Sequence, residues 1–507
     1  MFVRLGRSQS HRGCAVVTQL RICGLVSILI LAVSAATASA VVPSPTVEGP
    51  VIGGNGTAFV ASTTFDLAQV GYTQQEYFIS GTASAYTSSD TSNTDGKWTA
   101  TPAGSAPYKT RILVCMPVKA SKFKGTVVVE WLNVSGGLDA APDWVATHTE
   151  LIRDGFAWVG VSAQFVGVEG GTTIFGSPAV APLKAFDPVR YGSLSHPGDS
   201  FSYDIFSQVA EMLRHPAGLS PLGALKVKKV IAVGDSQSAF RLVTYINAIH
   251  QSAGVYDGFL VHSRGSIGAP LSQAPQPPVN VFGAAPIRDD LNVPVLILET
   301  ETDLVSTINY FTARQPDSAM IRVWEVAGSA HADAYDLDIG NTDAGKAAID
   351  TTYSPPVSTI GGGFITCDLP INAGPQHYVE SAAIWWLNRW ILKGTPPPHA
   401  TPLEVVAGTP PTITADAHGN AVGGVRTPQV DVPIAMLSGG GQSGAFCFLF
   451  GTTTPFDSTT LASLYPKHST YVSKVKKAKN AAVKAGFILK VDAAAISTAA
   501  SKSTIGN

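Results

Sequence analysis

The sequence predicts an α/β fold, a mainly parallel central sheet with helices on both faces, and three features carry that expectation. Short apolar runs recur along the chain, helix-like stretches separate them, and the runs are continuously apolar instead of alternating with polar residues. Strands covered by helices on both faces read in this way, because neither face can be left polar. The runs are Arg111–Pro117, Gly125–Asn133, Phe156–Gln164, Lys228–Gly234, Tyr256–Ser263, Val293–Thr300 and Ile321–Gly328, following a polar Ser/Thr/Gly segment at Tyr86–Ala103.

The helices follow from their own signals. Asp143–Gly155 starts with an aspartate read as its cap and ends on glycine. Ser202–Gly218 carries Ile205, Val209 and Leu213 on one stripe, Ser238–His250 follows the fourth run directly, and the tryptophans of Gln376–Gly394 read as packing. Val166–Ser200 is a long Gly/Pro-rich insertion, of the length that is usually functional or lid-like. Beyond Thr401 the chain is Pro/Gly-rich and then basic, with the lysines of Tyr471–Phe487 reading as a solvated helix face.

Composition narrows the function classes. Of 507 residues 45% are hydrophobic and 14% charged, with 49 Gly and 34 Pro, which describes a loop-rich globular protein and not a disordered one. A net charge of −2 offers no basic surface, so no nucleic-acid partner is expected. Arg4, Arg7, Arg12 and Arg21 precede or flank an apolar run at Ile22–Ala36 that ends in small residues at Ala40. This is the layout of a secretory signal, shorter than the roughly 20 residues a spanning helix needs. The expected organisation is a signal peptide at 1–40, a catalytic domain at 41–400 containing the 166–200 insertion, and a 401–507 C-terminal extension. The expected location is secreted or periplasmic, with no stable membrane span after cleavage. Cys115, Cys367 and Cys447 then remain, and the sequence leaves open whether the last two pair. With no Cys-x-x-Cys and no His-Glu-x-x-His, neither a metal nor another cofactor is expected.

The chemistry centres on VIAVGDSQSAF at Val230–Phe240, an apolar run stopping at Gly-Asp-Ser-Gln-Ser. A Gly-x-Ser-x-Gly turn between strand and helix exposes a serine nucleophile; here Ser236 sits centrally, with Ser238 in place of the last glycine. A different esterase class also opens with Gly-Asp-Ser, but near the mature N-terminus and with a late Asp-x-x-His, which this chain lacks. A serine needs a base, and the base an acid to orient it. The order serine, acid, histidine is met by Ser236, then Asp303 just past one apolar run, then His331 just past the next. Glu301 is the alternative acid, and Asp333 is also close in sequence to the histidine. The candidate oxyanion donors are the N–H of Gln237 and the loop after Asn133, with Asn133 and Val134 foremost. Tyr191 and His196, in the insertion, are candidates for substrate binding, although that stretch reads equally well as a structural loop.

Several long stretches resemble a known family, the exported bacterial proteins described as alpha/beta hydrolase domain proteins: VEWLNVSGG, DGFAWVGVSAQ, LKAFDPVRYGSLSHPGDSFSYDIFSQ, GDSQSA, TETDL, WEVAGSAHAD, GNAVGGVRTPQVDVPIA and LASLYPKHSTY. The resemblance covers about Val47 to Ser501 and implies the α/β-hydrolase fold, catalytic roles for Ser236 and His331, and a C-terminal segment belonging to the same unit. The resulting expectation is a serine hydrolase acting on a small-molecule or polymeric carboxylic ester. Amide, lactone or thioester cleavage on the same fold is the alternative, as is a secreted binding protein that has lost catalysis. Against the latter, Ser236 and His331 are both present.

Overall fold

A computed structural model describes residues 42–507 apart from 306, 364 and 445. The expected signal peptide therefore lies outside the described residues. The described residues form one compact unit, the 401–507 segment included. Among the described residues no helix is long and apolar enough to cross a membrane.

The strands are β1 (Thr46–Glu48), β2 (Tyr72–Thr87), β3 (Thr101–Pro117), β4 (Thr126–Trp131), β5 (Ala157–Val161), β6 (Lys229–Asp235), β7 (Gly258–His262), β8 (Val295–Thr300) and β9 (Ile321–Val326). They form one sheet in the order β1-β2-β3-β5-β4-β6-β7-β8-β9. The first four neighbours pair antiparallel, and from β5 onward every pairing is parallel. Strand parity divides the core in two. Val127, Val129, Ala232, Val261 and Ile297 point to one face, and Val128, Ile231, Leu260, Leu296 and Trp324 to the other. Every residue of β4, β5, β7 and β8 is buried, which is why these runs carry no polar alternation.

Helices cover both faces: α1 (Pro142–Arg153), α2 (Ser202–Arg214), α3 (Gln237–Thr244), α4 (Gln376–Lys393), and in the C-terminal segment α5 (His468–Ala485) and α6 (Lys490–Lys502). Ile205, Phe206 and Val209 of α2 and Leu242 and Val243 of α3 belong to one face; Trp144 of α1 and Val379, Ala383 and Leu387 of α4 belong to the other. In α5 the buried residues are Tyr471, Val475 and Ala482, while Lys474, Lys476 and Lys477 face solvent.

Two features depart from the sequence expectation. Asp143 is not the cap of α1; Ala141 holds that position and Asp143 is buried in the first turn. The cap comes from another strand, where the Glu130 carboxylate accepts the N–H of Asp143 at 3.1 Å and of Trp144 at 3.0 Å. The polar segment Tyr86–Ala103 also contributes to the sheet. Its ends belong to a long hairpin in which Tyr72 faces Pro117 and Thr87 faces Thr101. Toward its tip the hairpin is largely exposed, over Thr101–Pro107 on both sides, so Ser, Thr and Gly residues there hide that end from an apolar pattern.

Truncating the sheet where both faces are sealed has a calculable effect. Ile297→Ala is expected to destabilise by about 2–5 kcal/mol, read from the denaturant midpoint, because Ile297 is fully buried. Lys477→Ala, on the solvated face of α5, is expected to shift stability by no more than about 0.5 kcal/mol.

Candidate active site

Strand β6 ends at Asp235 and α3 begins at Gln237, leaving Ser236 alone on the turn with φ 58° and ψ −121°. A side chain in that region costs about 1–3 kcal/mol. The turn is held on both sides: Ser236 N–H donates to His262 O at 3.0 Å, and Phe240 N–H donates to Ser236 O at 3.1 Å. Gly234 supplies the room. A Cβ there would stand 3.1 Å from Leu242 Cδ1 and 3.2 Å from Ser238 Cβ. Because residue 234 has no side chain, the turn tolerates a serine at 238 where the common motif has glycine.

His331 and Asp303 leave the ends of β9 and β8 toward the same point. His331 Nδ1–H donates to Asp303 Oδ1 at 2.6 Å, and Ser236 Oγ–H donates to His331 Nε2 at 2.7 Å. The other Asp303 oxygen accepts from Thr300 N at 2.8 Å and Thr300 Oγ1 at 2.6 Å, so the carboxylate cannot rotate away. Glu301 does not reach the imidazole. It clasps two loops, accepting Gly328 N at 2.6 Å and Gly439 N at 3.0 Å. Asp333 caps the turn after the histidine, accepting from Tyr335 N and Asp336 N. A serine, an aspartate and a histidine in this chain order, each past the carboxyl end of a parallel strand, is an arrangement compatible with acyl transfer.

A family model described as alpha/beta hydrolase domain matches residues 47–498. The chain belongs to that alpha/beta hydrolase family. No curated protein matches it in sequence. Solved structures with partial likeness include a putative dienelactone hydrolase from Klebsiella pneumoniae, at 15% identity and TM-score 0.26, covering 49% of this chain and 85% of that one. Est1E of Butyrivibrio proteoclasticus, solved with ferulic acid, has 11% identity and TM-score 0.26 over 44% and 88% of the two chains. A serine hydrolase of Xanthomonas campestris has 12% identity and TM-score 0.26 over 49% and 86%.

Around the hydrolase's serine, the oxyanion candidates separate. The Asn133 N–H is engaged by Ala140 O at 2.9 Å, and its side chain donates to Asp235 O at 3.2 Å. Asn133 therefore shapes the loop and has no backbone donor to offer. Val134 N–H and Gln237 N–H, the latter at the first position of α3, are not engaged in this way. The two insertion candidates lie away from the serine. Tyr191 is fully buried, donating to Glu76 Oε1 at 2.9 Å and accepting from Phe59 N. His196 is buried against Ala163 O at 2.9 Å. Both tie the insertion to the sheet, and neither lines a cavity beside Ser236. A sequence motif shows that a polar side chain is present, not that a partner has already taken it.

Sequence reasoning missed what lies beneath the turn. His262, whose carbonyl holds Ser236 N–H, sets its Nδ1 3.2 Å from Asp143 Oδ1, 3.6 Å from Asp235 Oδ1 and 3.7 Å from Glu380 Oε2. Among the described residues, Asp143, His262 and Glu380 are the group whose donor atoms could gather round a cation. Burial alone would keep His262 neutral, but the charges of Glu380, Asp235 and Asp143 outweigh it and hold the imidazole well above its usual range. Burial pushes Asp235 up to about 7, against the pull of His262 and His331. At His331 burial also opposes the charged form, yet the Asp303 charge and hydrogen bond leave it raised. Asp303 is correspondingly lowered: His331 and Thr300 overcome the burial that would raise it.

These opposing causes can be separated. By NMR titration the His331 midpoint is expected above about 6.5, and in Asp303→Asn below it, because burial then acts without the carboxylate. Glu301→Gln puts an amide donor against one of two N–H groups and is expected to cost about 1–3 kcal/mol in urea unfolding while leaving the His331 midpoint unmoved.

Proposed function

We propose that this protein is an exported serine hydrolase that cleaves carboxylic esters through Ser236, His331 and Asp303. The observation that carries the reading is the continuous relay from Ser236 Oγ through His331 Nε2 and Nδ1 to Asp303, with links of 2.7 and 2.6 Å. His331 takes the Ser236 proton as Oγ attacks the ester carbonyl. The N–H groups of Gln237 and Val134 are the donors for the oxyanion, and their value lies in being fixed before charge develops. His331 then gives its proton to the leaving alcohol. A water, deprotonated in turn by His331, releases the acid from Ser236. No step calls for a group beyond these side chains and water.

Export is supported by the basic and apolar layout of residues 1–40 and by the disulfide Cys367–Cys447, a bond that persists in oxidising compartments. N-terminal sequencing of protein recovered outside the cytoplasm is expected to begin near Val41; an uncleaved N-terminus there would overturn the cleavage site.

The test of the chemistry is labelling by a fluorophosphonate, with the modified peptide read by mass spectrometry. The label is expected on Ser236, absent in Ser236→Ala and retained in Ser238→Ala. Ester turnover by Ser236→Ala or His331→Ala should fall by about 10⁴-fold or more. In the wild type kcat/KM should rise with pH as His331 loses its proton, with a midpoint above about 6.5, since the free base is the competent form and Asp303 delays its appearance. A folded protein that takes no label would return the molecule to the binding-protein reading.

A further inference from the structure

Two cavities of unlike chemistry share Ser135, on the loop after β4, and only one of them contains Ser236. The first, about 350 Å³, holds Ser236 and His331 and is walled by Val145, Ile360, Ile365, Phe446, Leu449 and Phe450. The second, about 320 Å³, lies across a ridge: Asn133 and Ser236 face the first cavity, while their chain neighbours Val134 and Gln237 face the second, and Ser135 lines both. The ridge thus carries the attacking oxygen and both free oxyanion donors. A carbonyl seated over it has one cavity available to each of its substituents.

The second cavity is lined by Thr172, Thr173 and Gln273, with apolar patches at Phe240 and Ile267; the Thr173 hydroxyl is shared with Ser177, and Gln273 Oε1 accepts from Arg241 Nη2 at 3.3 Å, which leaves the Gln273 amide nitrogen to donate. Its charges cancel, because Arg241 Nη2 is paired with Asp199 Oδ2 at 2.8 Å. An anion would therefore find no uncompensated cation there. Two side chains on this lining are more than nine-tenths buried and have polar atoms without a partner, Gln237 Oε1 and Arg241 Nε. Such groups are costly to leave unmet, so a ligand that brings both donors and acceptors is favoured. Hydroxyl groups do this, and the C–H faces of a polyol ring suit the apolar patches between them.

We infer that the substrate is an ester joining an uncharged polyhydroxy residue, sugar-like in its chemistry, to an alkyl or aryl group, the former in the Gln237–Arg241 cavity and the latter against Ile360, Ile365 and Phe450. This rests on the ester-hydrolase reading above. The hydrolytic step is ordinary: Ser236 Oγ forms the acyl bond as the ester C–O bond breaks, the alcohol leaves with the proton from His331, and water restores the serine.

The test uses the mature protein and four esters: octanoylglucose, the octyl ester of a sugar acid, pentyl octanoate and acetylglucose. At least one of the first two is expected to exceed pentyl octanoate by tenfold or more in kcat/KM, and octanoylglucose should exceed acetylglucose. Gln273→Leu should lower the polyhydroxy preference at least fivefold, and Phe450→Ser the octanoyl preference, each variant being checked for fluorophosphonate labelling of Ser236 so that folding failure is recognised. Cleavage of all four esters at similar efficiency, with Ser236 labelled, would overturn the two-cavity assignment and leave the hydrolase standing. Cleavage of none would overturn both.

Discussion

One backbone constraint organises the site: a buried parallel strand must give way to a helix within a single residue. Ser236 meets it at φ 58°, a conformation a side chain adopts only when its surroundings impose it. The imposition is visible on both flanks. Below, the carbonyl of His262 on the neighbouring strand takes the serine N–H; above, the first turn of α3 closes on its carbonyl. Gly234 lets the helix approach until Ser238 and Leu242 stand where its side chain would have been. The strain and the exposure of Oγ are thus one fact, since relaxing the turn would lower the serine into the polypeptide.

The same turn is seated on buried charge. His262 joins the turn by its backbone and three carboxylates by its ring. A single imidazolium among Asp143, Asp235 and Glu380 cannot neutralise all of them, which is consistent with burial holding Asp235 and Glu380 toward their protonated forms. Such a cluster contributes little net stability, because desolvation offsets attraction. Its value is positional: Asp143 is also the residue whose N–H is held by Glu130 of β4, so the start of α1, the end of β7 and the nucleophile turn share one set of hydrogen bonds. His331 feels this ground too, through the Asp235 charge that adds to the effect of Asp303.

What could be read from the sequence follows the physics of each element. The parallel strands announce themselves because both faces are sealed, and their ends at Asp235, Thr300 and Val326 place Ser236, Asp303 and His331 where the structure brings them together. Choosing between Asp303 and Glu301 required coordinates, since both leave the same strand and only direction separates an imidazole partner from a clasp on Gly328 and Gly439. Of the β2–β3 hairpin only the buried end of β3, Arg111–Pro117, was legible, because the exposed end of the hairpin permits Ser, Thr and Gly. Tyr191 and His196 looked available because nothing in a sequence reveals that Glu76 and Ala163 already hold them.

The cavity walls were the least legible part, and the reason lies in how they are assembled. The apolar wall joins Ile360 and Ile365 to Phe446, Leu449 and Phe450, segments brought together across some eighty residues by Cys367–Cys447. The polar cavity draws Thr172 and Thr173 from the insertion, and Phe175 of that insertion meets Phe446 edge-on at 4.7 Å. Insertion and C-terminal segment therefore touch each other above a turn that neither contains. The sheet can position Ser236, His331 and Asp303 from strand ends alone, but it has no means of distinguishing one substrate from another. That discrimination has to come from chain added outside the sheet, and in this molecule the additions converge on the two sides of a single ridge.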